Sequence, residues 1–219
     1  MTTEARTMTV EVWSDIMCPF CFLGKHRFAT ALQRFPQRED VAVVWRSFQL
    51  NPSLRTDPTI TVNEYLARTK GIDVRQAAAM NDRLTSAGAA EGIEYRFDRA
   101  VVANTFDAHR FLHYAADHDR QDAAMEHIFT AYFSEGRNVA DHAVLAAIGD
   151  EIGLDAADIA SMLASDRYVD EVRADIAEAE ELGIQGVPFF VFDRRYAVSG
   201  AQDSSVFLRA LEQSWATGG

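Results

Sequence analysis

Thr9-Val10-Glu11-Val12-Trp13-Ser14-Asp15-Ile16-Met17-Cys18-Pro19-Phe20-Cys21 is the stretch on which the fold turns. Thr9 to Ser14 alternates and is rich in β-formers, which predicts a buried or half-buried strand. The strand gives out just before the cysteines. From Cys18 to about Phe35 the period lengthens, with Phe22, Leu23, Phe28, Ala29 and Leu32 on a roughly continuous apolar face, until Pro36 closes the helix. Val41-Ala42-Val43-Val44-Trp45-Arg46-Ser47-Phe48 predicts a second strand. Strand, helix, strand is a βαβ unit, whose crossover is normally right-handed.

Outward from that unit, Asn51-Pro52-Ser53 and Asp57-Pro58 form a turn-rich exit, and almost everything up to Leu182 then reads as helix. Thr61-Val62-Asn63-Glu64 is a capping-box pattern opening the first of these helices. The others are expected over Val74 to Ala90, Thr105 to Asp117, Gln121 to Phe133, Asp141 to Ile152, Ala156 to Leu163 and Arg167 to Glu181, with Gly136, Gly153 and Gly183 where helices should stop. Ile93-Glu94-Tyr95-Arg96-Phe97 is a short extended piece among them with no assigned place. β character returns at Pro188-Phe189-Phe190-Val191-Phe192, then Asp193-Arg194-Arg195 as a turn and Tyr196-Ala197-Val198 as the partner strand of a hairpin. Asp203 begins a last helix through Val206, Leu208, Leu211 and Trp215, and Thr217-Gly218-Gly219 frays. The expected class is α/β, in the order βαβ then ββα, with a large all-helical insertion between the second and third core strands. That divides the chain into a core of residues 8–55 and 184–216 and an inserted helical domain of 56–183.

Composition narrows the function. A chain of 219 residues that is 48% hydrophobic and 25% charged buries a real core. Its formal net charge of -12 argues against a nucleic-acid partner, because phosphate binding draws on clustered Lys and Arg. Met1 to Thr7 lacks the apolar run of a secretory signal and no membrane-spanning stretch follows, so the expected location is cytoplasmic, with no membrane partner. The 2 cysteines of the chain are Cys18 and Cys21. A lone close pair in that setting points to redox or metal chemistry, since structural disulfides belong to oxidising compartments.

In disulfide exchange the attacking species is a thiolate, so a catalytic cysteine needs an environment that favours the anion and an exposed sulfur. A helix start supplies unpaired N–H groups and the positive end of the helix dipole for Cys18. Pro19 suits the first helical position, and Cys21 returns beneath Cys18 at about one turn, in reach to close a disulfide. Two other readings stand beside this one. A structural zinc wants four ligands and there is no second cysteine pair, which leaves only a composite site with His109 and His113 on one helix face; the other is a pair of buried, inert cysteines.

Ser14-Asp15-Ile16-Met17-Cys18-Pro19-Phe20-Cys21-Phe22-Leu23-Gly24, together with Gly186-Val187-Pro188-Phe189-Phe190-Val191 and Gly200-Ala201-Gln202, resembles the DsbA family. Asn104-Thr105 with Ala108-His109-Arg110, and the helical insertion itself, are similar to its FrnE-like branch. The resemblance implies a thioredoxin fold and a thiol–disulfide oxidoreductase in which Cys18 attacks and Cys21 resolves. It also implies a cis Val187-Pro188 bond facing the cysteines, with the Val187 backbone offered to a substrate segment. Without the resemblance, Pro188 reads as a plain strand-entry proline.

Two departures from the family pattern bear on the chemistry. Where several thioredoxin-like relatives carry a buried acid six residues before the first cysteine, this chain has Val12, and its nearest carboxylates are Glu11 and Asp15. Asp15 either takes over part of that role or caps the helix. Phe20 stands where strongly oxidising DsbA proteins have His, so Cys18 should be less acidic and its disulfide less oxidising than theirs. Lys25 and His26 read as ordinary surface or packing residues of the first helix, and Phe189, Phe190 and Phe192 as core. His109 either lines the cleft between core and insertion or is a satisfied structural histidine.

The leading function is therefore exchange on protein or small-molecule disulfides and thiols, as reductase, oxidase or isomerase, with no bound cofactor and glutathione as a candidate redox partner. The alternatives are a glutathione-dependent isomerase or transferase of the kappa and 2-hydroxychromene-2-carboxylate isomerase type, and a redox sensor or chaperone-like binder. The isomerase relatives usually place Ser where Cys18 stands. Substrate, electron-flow direction and oligomeric state stay open at this stage.

Overall fold

The computed structural model describes residues 6–218. The reading of the first residues as free of a signal rests mainly on residues 1–5, and the fray at Gly219 on the last; both lie outside the described residues.

Strand β1 (Met8–Ser14) runs into helix α1 (Pro19–Arg34), and β2 (Val41–Ser47) returns parallel to β1 with Val12 beside Trp45. The hairpin β3 (Phe189–Phe192) and β4 (Tyr196–Ser199) completes one sheet in the order β2-β1-β3-β4, with β3 antiparallel to β1. At the hairpin tip Asp193 and Arg194 both take positive φ, 47° and 53°, which matches the right-handed twist of the strands. Arginine is an unusual occupant of that conformation. Its guanidinium is held to Glu11 at 2.7 Å and to Glu178 at 2.6 Å, and these charge-assisted bonds offset the strain.

Helix α9 (Ser204–Thr217) packs beside α1 on one face of the sheet, over Val10, Val12, Phe190 and Phe192. Between β2 and β3 come α2 (Val62–Lys70), α3 (Val74–Ala90), α4 (Phe106–Ala116), α5 (Gln121–Thr130), α6 (His142–Glu151), α7 (Ala156–Leu163) and α8 (Val169–Glu181). The predicted capping box of Thr61 and Glu64 is in place, and Asp141, Asp155 and Asp203 each accept a hydrogen bond from the first turn of the helix they precede. The helix expected to continue to Phe133 instead passes at Ala131–Glu135 into a π-helical turn, ended by Gly136 at φ 72°. Gly136 also has Arg99 so close that an added Cβ would lie 2.7 Å from its carbonyl oxygen.

Helix α8, at the end of the segment read as insertion, covers the second face of the sheet. Trp13 lies there against Ala179 and Ile184, and its indole N–H donates to the Asp175 carbonyl at 3.1 Å. The other inserted helices share one continuous apolar core with α1: Phe22 stacks on Phe129 with ring centroids 5.0 Å apart, and Phe28 meets Phe190 at 5.4 Å. At the outer edge of the sheet, the Gln121 side-chain amide pairs with both backbone groups of Trp45, accepting from its N–H at 3.0 Å and donating to its C=O at 2.9 Å. Among the described residues no helix is long and apolar enough to cross a membrane.

Lys25 and His26, read as ordinary helix residues, fasten α1 to α5. Lys25 is buried and lies 2.9 Å from Glu126 and 3.2 Å from Asp122, and His26 Nε2 is 3.0 Å from Glu126. The Glu126 hydrogen bond raises the His26 imidazole above its ordinary 6.5. Burial alone would raise Glu126, but His26 and Lys25 outweigh it and bring the carboxyl down to about 2. The depressed carboxyl stabilises the fold above its ordinary 4.5 and loses that contribution as pH falls toward about 2; the elevated imidazole contributes below 6.5 and loses it as pH rises through the folded value. The melting temperature is expected to be higher at pH about 5.5 than at about 8, with the difference shrinking in His26→Gln; a pH series of thermal melts on both proteins measures it.

Candidate active site

Three pieces of chain meet at the mouth of α1: the turn leaving β1, the first turn of the helix, and the segment entering β3. The turn is closed by the Cys18 N–H donating to the Asp15 carbonyl at 3.0 Å. Cys18 is the N-cap residue, with extended backbone (φ -90°, ψ 109°) and no side chain capping the helix above it; Pro19 follows in the first turn. The Cys21 N–H then bonds the Cys18 carbonyl at 2.9 Å, so the cysteines stack at one helical turn with both thiols free.

Opposite them the Val187-Pro188 bond is cis, as the family resemblance implied. The Cys18 thiol donates to the Val187 carbonyl at 3.5 Å, which brings together two segments far apart in sequence. Gly24 makes that approach fit, because a Cβ there would lie 2.9 Å from Pro188 Cγ. Gly24→Ala is therefore expected to push Pro188 off its seat and lower exchange activity on the order of tenfold, while the better helix propensity of alanine limits the loss of stability. Insulin-reduction rates set beside thermal melts measure the two effects separately.

The sulfurs are more covered than the sequence suggested. Cys18 keeps only 4% of its surface accessible and Cys21 none, so an exposed nucleophile becomes one reached through a narrow opening. Part of that cover is the Val187-Pro188 segment, packed onto α1 at Cys18 and Gly24. Two exposed apolar side chains lie on segments adjoining the pair: Phe20 between the cysteines, and Leu50 in the loop after β2, whose backbone N–H bonds Asp15. Burial pushes the Cys21 thiol well above its usual range, and the adjoining Cys18 sulfur pushes the same way; the Ser14 hydroxyl and the Asp15 backbone act against them.

Asp15 does not cap α1. Its fully buried carboxylate accepts hydrogen bonds from the Leu50 N–H and from the Thr105 hydroxyl, both at 2.8 Å, and so ties the strand exit to the loop after β2 and to the start of α4. The structural role survives with different partners. His109 is not the satisfied histidine expected: it is buried, its Nε2 stands 3.5 Å from Asp15, and neither ring nitrogen has a hydrogen bond among the described residues. His113 faces Asp175 at 3.0 Å, and among the described residues no three His, Cys, Asp or Glu side chains converge as a metal site needs. Glu11 lies on the other face of β1 and is paired with Arg46 at 2.6 Å and with Arg194; burial would raise its carboxyl, and these hydrogen bonds hold it below the usual range. Phe190 and Phe192 are core, as expected, while half-buried Phe189 joins the Trp13 cluster on the second face.

Sequence reading missed Tyr95. It lies in the unplaced Ile93–Phe97 piece, and its buried hydroxyl donates to the Pro19 carbonyl at 2.6 Å, clamping the first turn of α1 from the inserted region. The bare surface of Gly88 admits its ring, since a Cβ there would lie 2.4 Å from Tyr95 Cε2. Arg27 also escaped notice: it donates to the Ala201 carbonyl at 2.9 Å and holds the loop after β4 against α1.

The model of a DSBA-like thioredoxin domain matches residues 9–212. The chain is 30% identical to the uncharacterised protein YwbO of Bacillus subtilis (strain 168) over 210 residues, which are 94% of this chain and 96% of that protein. It is also similar to the crystal structure of a probable DsbA oxidoreductase from Streptomyces coelicolor, at 43% identity and a TM-score of 0.90, covering 97% of this chain and 92% of that one. A 2-hydroxychromene-2-carboxylate isomerase shares the fold at 15% identity, with a TM-score of 0.66 over 95% of this chain and 94% of the other.

Proposed function

The chain belongs to the family of DSBA-like thioredoxin domains, thiol–disulfide oxidoreductases, and on that premise we propose that it works by dithiol–disulfide exchange through Cys18 and Cys21. The observation that carries this reading is the Cys18 sulfur, seated at the N-terminus of α1 and 3.5 Å from the Val187 carbonyl. Unpaired N–H groups of a first helical turn favour negative charge on an atom so placed.

In the reducing direction, the Cys18 thiolate attacks one sulfur of a substrate disulfide. A Cys18–substrate disulfide forms, and the other substrate sulfur leaves as a thiolate and takes up a proton. Cys21 then gives up its proton and attacks Cys18; the Cys18–Cys21 disulfide forms, and the second substrate thiol is released. Two electrons have passed from the protein to the substrate, and two equivalents of glutathione, or one of a dithiol, return them. Pro188 and the Val187 backbone seat the substrate segment beside Cys18, while exposed Phe20, between the two cysteines, offers apolar surface suited to polypeptide disulfides. A cytoplasmic site of action and membership of the FrnE-like branch complete the reading; the first rests on a chain whose cysteines are confined to this one motif.

The glutathione-dependent isomerase reading is disfavoured by the cysteine at position 18, because an enzyme that activates an external thiol has no use for a second, resolving one. Reduced protein exposed to oxidised glutathione is expected to lose two free thiols and gain a Cys18–Cys21 bond by mass spectrometry, and to reduce insulin catalytically with dithiothreitol as the terminal reductant. Retention of both thiols with tight glutathione binding would instead support the isomerase type.

A further inference from the structure

Ser14 closes β1, is fully buried, and its hydroxyl has no hydrogen-bond partner among the described residues. An unpaired buried hydroxyl costs free energy, so its presence at the active-site turn calls for a use. Alternation along β1 puts Val10, Val12 and Ser14 on one face, and Val10 and Val12 share the apolar core that contains Cys21. Trp13 looks the other way, into the cluster under α8.

Around Cys21 the means of stabilising a charge are few. The titratable groups facing it are Cys18 on its own helix and Tyr95 from the segment between α3 and α4, whose hydroxyl burial and the neighbouring cysteines both keep protonated. Asp15 nearby has its carboxylate engaged by Leu50 and Thr105, with His109 behind it. Position 12, on the same face of the strand, is valine and offers neither a donor nor a base. Burial already makes the Cys21 anion costly, and the Ser14 hydroxyl counts among the groups that ease it.

Resting on the exchange reading above, we propose that Ser14 is a further catalytic residue, whose hydroxyl donates a hydrogen bond to the Cys21 sulfur as that sulfur becomes a thiolate in the resolving step. In the dithiol form the hydroxyl makes no hydrogen bond; the thiolate is a charged acceptor, stronger than a thiol, and draws the hydroxyl to it. When the Cys18–Cys21 bond has formed the charge is gone and the donor is released. The Cys21 proton passes to solvent and the departing substrate thiolate takes one up, so no net proton or additional electron is required. A donor that acts only while charge is present accelerates the step without holding the resting protein.

The test uses the full chain. In Ser14→Ala, resolution of a preformed Cys18–glutathione mixed disulfide is expected to slow about tenfold near pH 7, and its pH profile to move up by about one unit. The melting temperature should not fall, which separates this from a packing defect. In the Cys18→Ser background, where Cys21 titrates alone, thiolate absorbance should show the same upward displacement on Ser14→Ala. With Ser14 intact, its Cβ resonance should move with Cys21 ionisation, a measurement that needs no variant at Ser14. A wild-type resolution rate and profile in Ser14→Ala, or a Ser14 resonance indifferent to Cys21, would overturn the proposal. If wild-type protein forms no Cys18–Cys21 disulfide at all, it is the exchange reading that fails.

Discussion

Cys18→Ser is expected to lose insulin-reducing turnover by on the order of a thousandfold or more, while Cys21→Ser keeps the first attack and accumulates mixed disulfides. The asymmetry follows from the geometry. Cys18 combines a helix N-terminus with some accessible surface and the Val187 carbonyl, whereas Cys21 has no surface open to a substrate. A serine hydroxyl at position 18 is a far poorer nucleophile than a thiolate, and the preceding strand supplies no general base, because Val12 is apolar and Glu11 is committed to Arg46 and Arg194 on the opposite face. Insulin turbidity gives the first result, and mass spectrometry of species trapped by Cys21→Ser gives the second, naming the natural substrates as well. Equal losses in both variants without any trapped species would contradict the division of labour.

Phe22→Ala is expected to destabilise the protein by roughly 3–5 kcal/mol, among the largest losses available from a single side chain here. Phe22 is 2% exposed and belongs to both halves of the molecule: it adjoins Cys21 in α1, yet its ring stacks on Phe129 and meets Tyr95 edge-on at 5.9 Å. Truncation leaves a cavity that stiff aromatic neighbours cannot readily close. At about 2–4 °C per kcal/mol for a chain of this size, the melting temperature should drop on the order of 10 °C. Because the core is continuous, the loss should appear as one cooperative transition displaced as a whole. Two separate transitions, with the sheet melting at its original temperature, would show that the inserted helices are held independently of it.

Local signals carried most of the architecture. Asp73 before Val74, Asp155 before Ala156 and the Thr61–Glu64 box mark helix starts by chemistry that acts within one turn, and the observed helices begin where these residues place them. The alternation of Thr9 to Ser14 and the proline in the Cys-x-x-Cys motif likewise placed the strand, the helix and the reactive pair. What escaped depended on distant chain. Ile93–Phe97 alternates like a strand, but it pairs with no strand of the sheet; Ile93 N–H bonds the Gly88 carbonyl at 2.8 Å and Arg96 N–H the Phe133 carbonyl at 2.7 Å, and its importance lies in where Tyr95 reaches. An aspartate shortly before a helix looks the same in sequence whether it caps that helix or not. Only the tertiary approach of Leu50 and Thr105 decides where the Asp15 carboxylate goes. For the same reason no pattern along the chain revealed that Lys25 would be buried between two carboxylates of α5.

The paired amide of Gln121 also bears on self-association. A sheet whose outermost strand offers free N–H and C=O groups invites another copy to add on. At Trp45 that invitation is withdrawn, because a glutamine side chain occupies the donor and acceptor that an incoming strand would use. Growth past β2 is thus blocked by side chains, Gln121 at Trp45 and the Asp175 carboxylate on the Ser47 N–H at 2.8 Å, and Gln121→Ala would open the Trp45 part of that margin to neighbours.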